Sequence, residues 1–246
     1  MATTKMPTTT SHESRLQIFQ PTRRPQRMTR EFTNAWGRVR ITGRLGQAHC
    51  DVLQAIRYCA QRHDETGDGR IKLLVDPAAV RRTARQMSGS TLRTIIDDLL
   101  GAVVQIIEPT ELACTGHLID HIDEARRKDN TPVTRENPLT GGERAMWRVD
   151  VGLAGMRLLE ADFGLYYNPA PIAGLQHGIS QAVTRHVLTH TQQPSGGWKL
   201  DGLIEAVAGG CDSTALRHRR RELRTDAAAL AEMGIAIDGD RVRCVA

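Results

Sequence analysis

"GGCDSTALRHRRRELRTDAAALAEMGIAI" spans residues 209–237. Two glycines lead in, five arginines fall within positions 217–224, and an apolar run closes it. On a wheel of about 100° per residue, Leu216, Leu223, Ala227 and Leu230 share one stripe, which predicts a helix over 212–233 with that stripe facing a core. Thr214, Arg217, His218, Arg221, Arg224 and Thr225 lie broadly opposite, and Arg219 and Arg220 flank the stripe. Asp212 or Ser213 is the expected cap. Like charges one turn apart, such as Arg217 and Arg221, cost an isolated helix about 0.2–0.5 kcal/mol. A phosphate-lined groove removes that penalty, and arginine suits bidentate contact with phosphate and with guanine O6 and N7.

The flanks give this helix a context. "WKL" (198–200) predicts a short strand, and "DGLIEAVAG" (201–209) a helix capped by Asp201. "GC" turns the chain into the arginine helix. "GIAIDGDRVRCVA" (234–246) predicts a hairpin, because "DGD" separates two alternating runs. With "GISQAVTRHVLTHTQ" (178–192) as a preceding helix, the order is that of a winged helix, a helix-turn-helix followed by a β-hairpin. The second helix of such a unit enters the major groove and the wing touches the backbone. The expected contacts are Ser213, Thr214, Arg217, His218, Arg219, Arg220, Arg221 and Arg224 on the helix, with Lys199, Arg241 and Arg243 on the strands.

The same order recurs upstream. "WGRVRIT" (36–42) alternates as a strand, and Ala48, Val52, Ala55, Ile56, Cys59 and Ala60 recur at helical spacing. "RIKLLVD" (70–76) is a strand. "DPAAVRRTARQM" opens a helix with Asp76 as N-cap and Pro77 in its first turn. "SGS" is a turn, "TLRTIIDDLLGA" (91–102) a third helix, and "VVQIIEP" a strand. Further strands are expected near "HLIDHID" and over 145–152, on either side of a long loop (125–143). This unit is a weaker reader. Ser90, Thr91, Arg93 and Thr94 are expected to face outward beside Asp97 and Asp98, whose carboxylates repel phosphate. Arg81, Arg82 and Arg85 on the preceding helix are placed to hold the DNA backbone. The expected fold is α+β, mainly helical, with tandem winged-helix domains over 31–150 and 151–246. A strand is also expected over 163–169.

Composition agrees with a polyanion partner. The chain has 246 residues, 40% of them hydrophobic and 25% charged. Residues 1–30 hold six basic residues and one acid, so the net charge of +5 resides there and the rest is balanced. That segment is rich in Thr, Ser, Pro, Gln and Arg without an apolar period, which predicts a disordered basic arm. No run of 18 apolar residues predicts a membrane span, and no apolar region marks a secretory signal. The five cysteines form no CxxC pair, which argues against a zinc ribbon and a disulfide framework and fits the cytoplasm.

Chemistry finds little purchase. There is neither a GxxxxGK[ST] nor an HExxH run. "HLIDH" and "HVLTH" set His117 with His121 and His186 with His190 four apart, but neither pair has a third ligand, so no metal or other cofactor is expected. Tyr166 and Tyr167 evoke the tyrosines of nickases, yet no HxH motif accompanies them, and they alternate as in-and-out strand residues. No enzyme activity is expected.

"LYYNPAPIAGLQ", "QPSGGWKLDGLIEAVAG" and "STALRHRRRELRTDAAALAEMGIAI" together resemble the C-terminal half of plasmid replication initiators, nearest to the RepC type of IncQ-like plasmids. "VRITGRLGQAHCDVLQAI" is similar in layout to their first domain. The likeness is specific over about 165–237, and the long loop at 125–143 and the Thr-rich arm have no match. The resemblance implies two winged helices binding direct repeats (iterons) in duplex DNA at a plasmid origin, opening an AT-rich segment and recruiting a replicative helicase. It also implies a dimer made through the N-terminal domain, and places Ser213, Thr214, Arg217, Arg219, Arg220, Arg221 and Arg224 on the reading helix. The rival expectation is a plasmid-borne repressor or partition adaptor on the same fold, reading an operator palindrome.

Overall fold

A computed structural model describes residues 6–65, 69–137, 140–160 and 163–245. In chain order, the N-terminal segment carries β1 (Thr9–Thr10) and α1 (Ser11–Arg15). The first half then runs β2 (Met28–Asn34), β3 (Gly37–Gly43), α2 (Gln47–Cys59), β4 (Ala60–Glu65), β5 (Ile71–Val75), α3 (Pro77–Thr83), α4 (Gly89–Gly101), β6 (Val103–Glu108), β7 (Cys114–Gly116) and β8 (Ile119–Glu124). It ends in β9 (Thr134–Glu136), β10 (Glu143–Ala145), β11 (Trp147–Val151) and α5 (Leu153–Glu160). The second half runs β12 (Gly164–Leu165), α6 (Ala170–Gly174), α7 (Gly178–Val187), β13 (Trp198–Lys199), α8 (Leu200–Ala208), α9 (Ser213–Thr225), α10 (Ala227–Glu232), β14 (Ile235–Asp238) and β15 (Arg241–Cys244). The fold is α+β.

Two apolar cores organise it. The first gathers Val52 and Ile56 of α2, Val80 of α3, Leu92 and Leu99 of α4, and Val149 of β11, and reaches Leu158 of α5. The second gathers Ile179 and Val183 of α7, Leu203 and Ile204 of α8, Leu223 of α9, Leu230 of α10 and Val242 of β15. Ala154 and Leu158 of α5 belong to the first core, and the second begins at Ile172. Leu158 is fully buried with the first core, and a wholly buried leucine holds its helix there by roughly 1.5–3 kcal/mol.

The two cores share a connectivity. In the first, β5 follows α2 and pairs with β11, which pairs with β8. In the second, β13 follows α7 and pairs with β15, which pairs with β14. The strand between the first two helices thus lies beside the last strand of the hairpin in both. The first half adds β4 to the edge of this sheet and a second sheet of order β2–β3–β6–β7. Its long loop is partly structured, since β9 pairs with β10 and Arg144 donates Nε and Nη2 to Asp76 at 2.9 and 2.6 Å. Asp76 also caps α3 at the Ala78 amide. Burial opposes its charge, but the hydrogen bonds from Arg144 and Ala78 and the charge of Arg135 hold this carboxyl below its ordinary range.

The N-terminal arm is not disordered from residue 6 onward; its first five residues lie outside the described ones. Met6, Leu16, Ile18 and Phe19 are buried. β1 pairs with β12. Thr10 Oγ1 donates to Leu158 O and Arg15 donates to Thr189 Oγ1 and O at 2.8 Å each. The segment crosses the start of α7 so closely that a Cβ on Gly178 would lie 2.5 Å from Thr22 Cα. Glu13 accepts from the fully buried Arg57 at 2.5 Å. Composition hides this role because the apolar residues are few; they are clustered at "LQIF" (16–19), without any helical or strand period.

A buried polar cluster joins the halves. Arg185 of α7 donates to Asp51, Gln47 and Gln54 of α2 at 2.5, 2.5 and 3.0 Å. Gln181 and Arg23 also donate to Asp51, at 3.2 Å each. Tyr167 Oη donates to Gln54 Oε1 at 3.1 Å. The expected strand over 163–169 shortens to β12, and Tyr166 turns outward while Tyr167 turns into this cluster.

Candidate nucleic-acid interface

α9 begins where the sequence places it. Asp212 is its N-cap and accepts from the Ala215 amide at 2.7 Å. Leu223 is fully buried and Leu216 packs at the edge of the second core. Ser213, Thr214, Arg217, His218, Arg221, Arg224 and Thr225 are exposed, forming a ridge that repeats every three to four residues. The helix does not run unbroken to 233. It ends at Thr225, because Asp226 turns inward to accept from the Gln176 and His177 amides at 3.2 and 2.9 Å.

The structure separates the five arginines. Arg217 and Arg221 carry no ion pair among the described residues and point outward. Arg224 is exposed, and its Nη2 donates to Gly239 O at 3.2 Å, tying the helix to the hairpin turn. Arg220 is taken up internally. It forms a bidentate pair with Asp201, which raises its pKa and lowers that of Asp201, the mutual hydrogen bonds being the leading cause for each. Arg219 donates to the Cys211 sulfur. Asp201 is therefore not a cap. α8 starts one residue earlier, with Lys199 as N-cap, because the Leu200 amide is satisfied by Asp240 O at 2.8 Å. The Asp201 carboxylate is then free to hold Arg220.

The strand residues belong to the sheet whose hairpin turn Arg224 contacts. Lys199 is exposed and stands opposite Arg241 in the β13–β15 pairing. Arg241 is half-buried beside Asp240, and Arg243 is exposed and donates to Gly196 O at 3.4 Å. The hairpin turn holds Gly239 at φ 58°, in the left-handed region that glycine adopts at no steric cost.

In the first half, Ser90, Thr91, Arg93 and Thr94 are exposed on α4 as expected. Ser88 caps α4 and its Oγ lies 2.9 and 2.8 Å from the hydroxyls of Ser90 and Thr91. Asp97 is exposed, but Asp98 is not part of the outer face. It meets His49 Nε2 at 3.2 Å and Arg44 at 3.9 Å. Burial, the larger effect, still holds the His49 pKa down despite that carboxylate. One of the two repelling carboxylates is thus consumed inside the fold. Arg81 and Arg82 are exposed on α3, and Arg81 donates to Met87 O. Arg85 is not on that helix. It sits in the turn between α3 and α4 at φ 70°, and its Nη1 donates to Leu175 O of the second half at 3.1 Å.

Arg85 opens onto a cleft of about 950 Å³ between the halves, which α9 also lines through Ala215, His218 and Arg219. The N-terminal segment supplies Arg23, Arg24 and Arg30 to the same cleft. By sequence those three belong to a loose arm. Their only signal is the apolar "LQIF" just before them, which anchors the segment. Of the histidine pairs, His186 and His190 have ring centroids 4.9 Å apart, while His117 Nδ1 meets Ala102 O at 2.8 Å. Among the described residues no group of three or more His, Cys, Asp or Glu side chains could hold a metal ion, and no helix is long and apolar enough to cross a membrane.

No protein-family model and no curated protein matches the chain. Two crystal structures of domains 2 and 3 of RctB are similar in fold. One, of selenomethionine derivatives, has a TM-score of 0.53 at 11% identity and covers 88% of this chain and 85% of that one. The other has a TM-score of 0.50 at 13% identity and covers 91% and 83%. At these identities the likeness is one of fold, and it extends across both halves of this chain.

Proposed function

We propose that this chain is a replication initiator that binds duplex DNA through two winged-helix units. RctB is itself a replication initiator, and the likeness to its domains 2 and 3 supports the same broad role here. The observation that carries the reading is the α9 ridge. Arg217 and Arg221 face solvent while Arg219 and Arg220 are partnered internally. An exposed, self-repelling arginine pair on the second helix of such a unit suits the major groove. The target is direct repeats at a plasmid origin, which the protein opens for a replicative helicase. Dimerisation is through the first half. The protein does this without a cofactor or catalysis of its own, in the cytoplasm.

The test is selection from a random duplex library, followed by anisotropy titration on the recovered site. Arg217→Ala and Arg221→Ala should each cost roughly 1–3 kcal/mol if they read bases, and relax preference at single positions. Recovery of tandem repeats supports an initiator. Recovery of a palindrome supports the repressor or partition adaptor. Unchanged affinity in both variants would overturn the reading of the ridge.

A further inference from the structure

We propose that the cleft between the two halves is a second DNA contact, binding the sugar-phosphate backbone of the same duplex that α9 reads. This rests on the proposed DNA-binding function and adds a site on the N-terminal segment. The lining contains five arginines (Arg23, Arg24, Arg30, Arg85 and Arg219) and one carboxylate, Glu222. Among the described residues only Arg23 of the five makes an ion pair, with Asp51. Burial is the largest effect lowering the Arg23 pKa; Asp51 opposes it, and the charge of Arg85 adds to the lowering. Burial alone pulls Arg30 down to about 10; its guanidinium lies 4.9 Å from the Phe32 ring centroid and donates to Ile18 O. Five arginines held near only two carboxylates, Asp51 and Glu222, leave a surplus of positive charge, which a bound anion relieves.

Geometry selects the anion. The cleft is open and large, and it is bounded by the turn before α4 on one side and by α9 on the other. Those are the elements that place a reading helix in each unit. A duplex touched by both presents its backbone to whatever lies between them, with one charge per about 1.7 Å of helix axis. Arginines from three separate segments lining one open cleft suit such a line of phosphates. The arm is thereby more than a tether, because its buried Leu16, Ile18 and Phe19 hold Arg23, Arg24 and Arg30 in place.

The experiment compares salt slopes on a duplex of about three helical turns, roughly 30 base pairs. Arg24→Ala with Arg85→Ala is the cleft variant, leaving the Arg23–Asp51 pair intact. Lys72→Ala with Arg157→Ala removes the same charge outside the cleft. Arg217→Ala with Arg221→Ala tests the ridge. Each lost phosphate contact flattens log K against log salt by about 0.9, so the cleft variant should lose roughly two units of slope and the outside pair none. An equal slope in the cleft variant and the wild type, with the ridge variant impaired, overturns the cleft proposal and leaves the function standing. Wild-type binding in all three variants overturns both. Calorimetry with inorganic phosphate and a mononucleotide supplies the last arm. Tight binding of either by wild type, lost in the cleft variant while the DNA slope is unchanged, makes this a small-anion site and refutes the proposal. Circular dichroism and melting of the cleft variant establish that it is folded.

Discussion

Replacing Asp51 by asparagine tests whether the two halves are locked by charge. Asp51 is fully buried on α2 and accepts from Arg185, Gln181 and Arg23. Arg185 is 4% exposed. The amide side chain would keep the shape while leaving the Arg185 guanidinium buried without a carboxylate. Breaking a buried pair by removing one partner costs roughly 3–5 kcal/mol. With a urea dependence near the upper end of about 1–3 kcal/mol per molar, the midpoint should fall by roughly 1–2 M. The double variant Asp51→Asn with Arg185→Met removes both charges and should recover much of the loss, because paired burial is itself costly. A double-mutant cycle should therefore show coupling of about 1–3 kcal/mol. Urea titrations followed by far-UV circular dichroism and by tryptophan fluorescence measure this, with Trp198 reporting the second half and Trp36 and Trp147 the first. An Asp51→Asn midpoint within a few tenths molar of wild type, with additive single effects, would refute the lock.

Removing residues 1–28 should lower the melting midpoint substantially, since it exposes the partners of Leu16, Ile18 and Phe19 and leaves Arg57 without Glu13; an unchanged melt would mean the segment is not needed for packing. Arg220→Ala should leave DNA affinity nearly unaltered compared with Arg221→Ala, because Arg220 is held by Asp201; equal losses would place Arg220 on the reading face. Stability should also fall in mild acid through His186. Burial, then the charges of His190 and Arg15, push its pKa down to about 4, against about 6.5 unfolded. The unfolded chain binds the proton first, so this stability is fully present above about pH 6.5 and is lost as pH falls toward 4. The drop in urea midpoint between neutral pH and about pH 4.5 should therefore be smaller in His186→Gln than in wild type, and parallel profiles would reject this.

Local order was legible in the chain. The helix start at Asp212–Ser213, the inward Leu216 and Leu223, the "DGD" hairpin and the Asp76–Pro77 helix start depend on neighbours within a turn or two, where spacing and capping chemistry decide the outcome. The outward face of α9 followed from the same periodicity. Long-range partners were not legible. Periodicity set Arg219 and Arg220 beside the apolar stripe and the other three arginines opposite it, but only the fold brings Asp201 to Arg220, Cys211 to Arg219 and Gly239 to Arg224. Likewise Asp98 reads as a surface acid until α2 brings His49 against it. The arm shows the same limit most plainly. Its few apolar side chains lack a period because they fill gaps between elements built by distant sequence, and that complementarity exists only once both cores have formed.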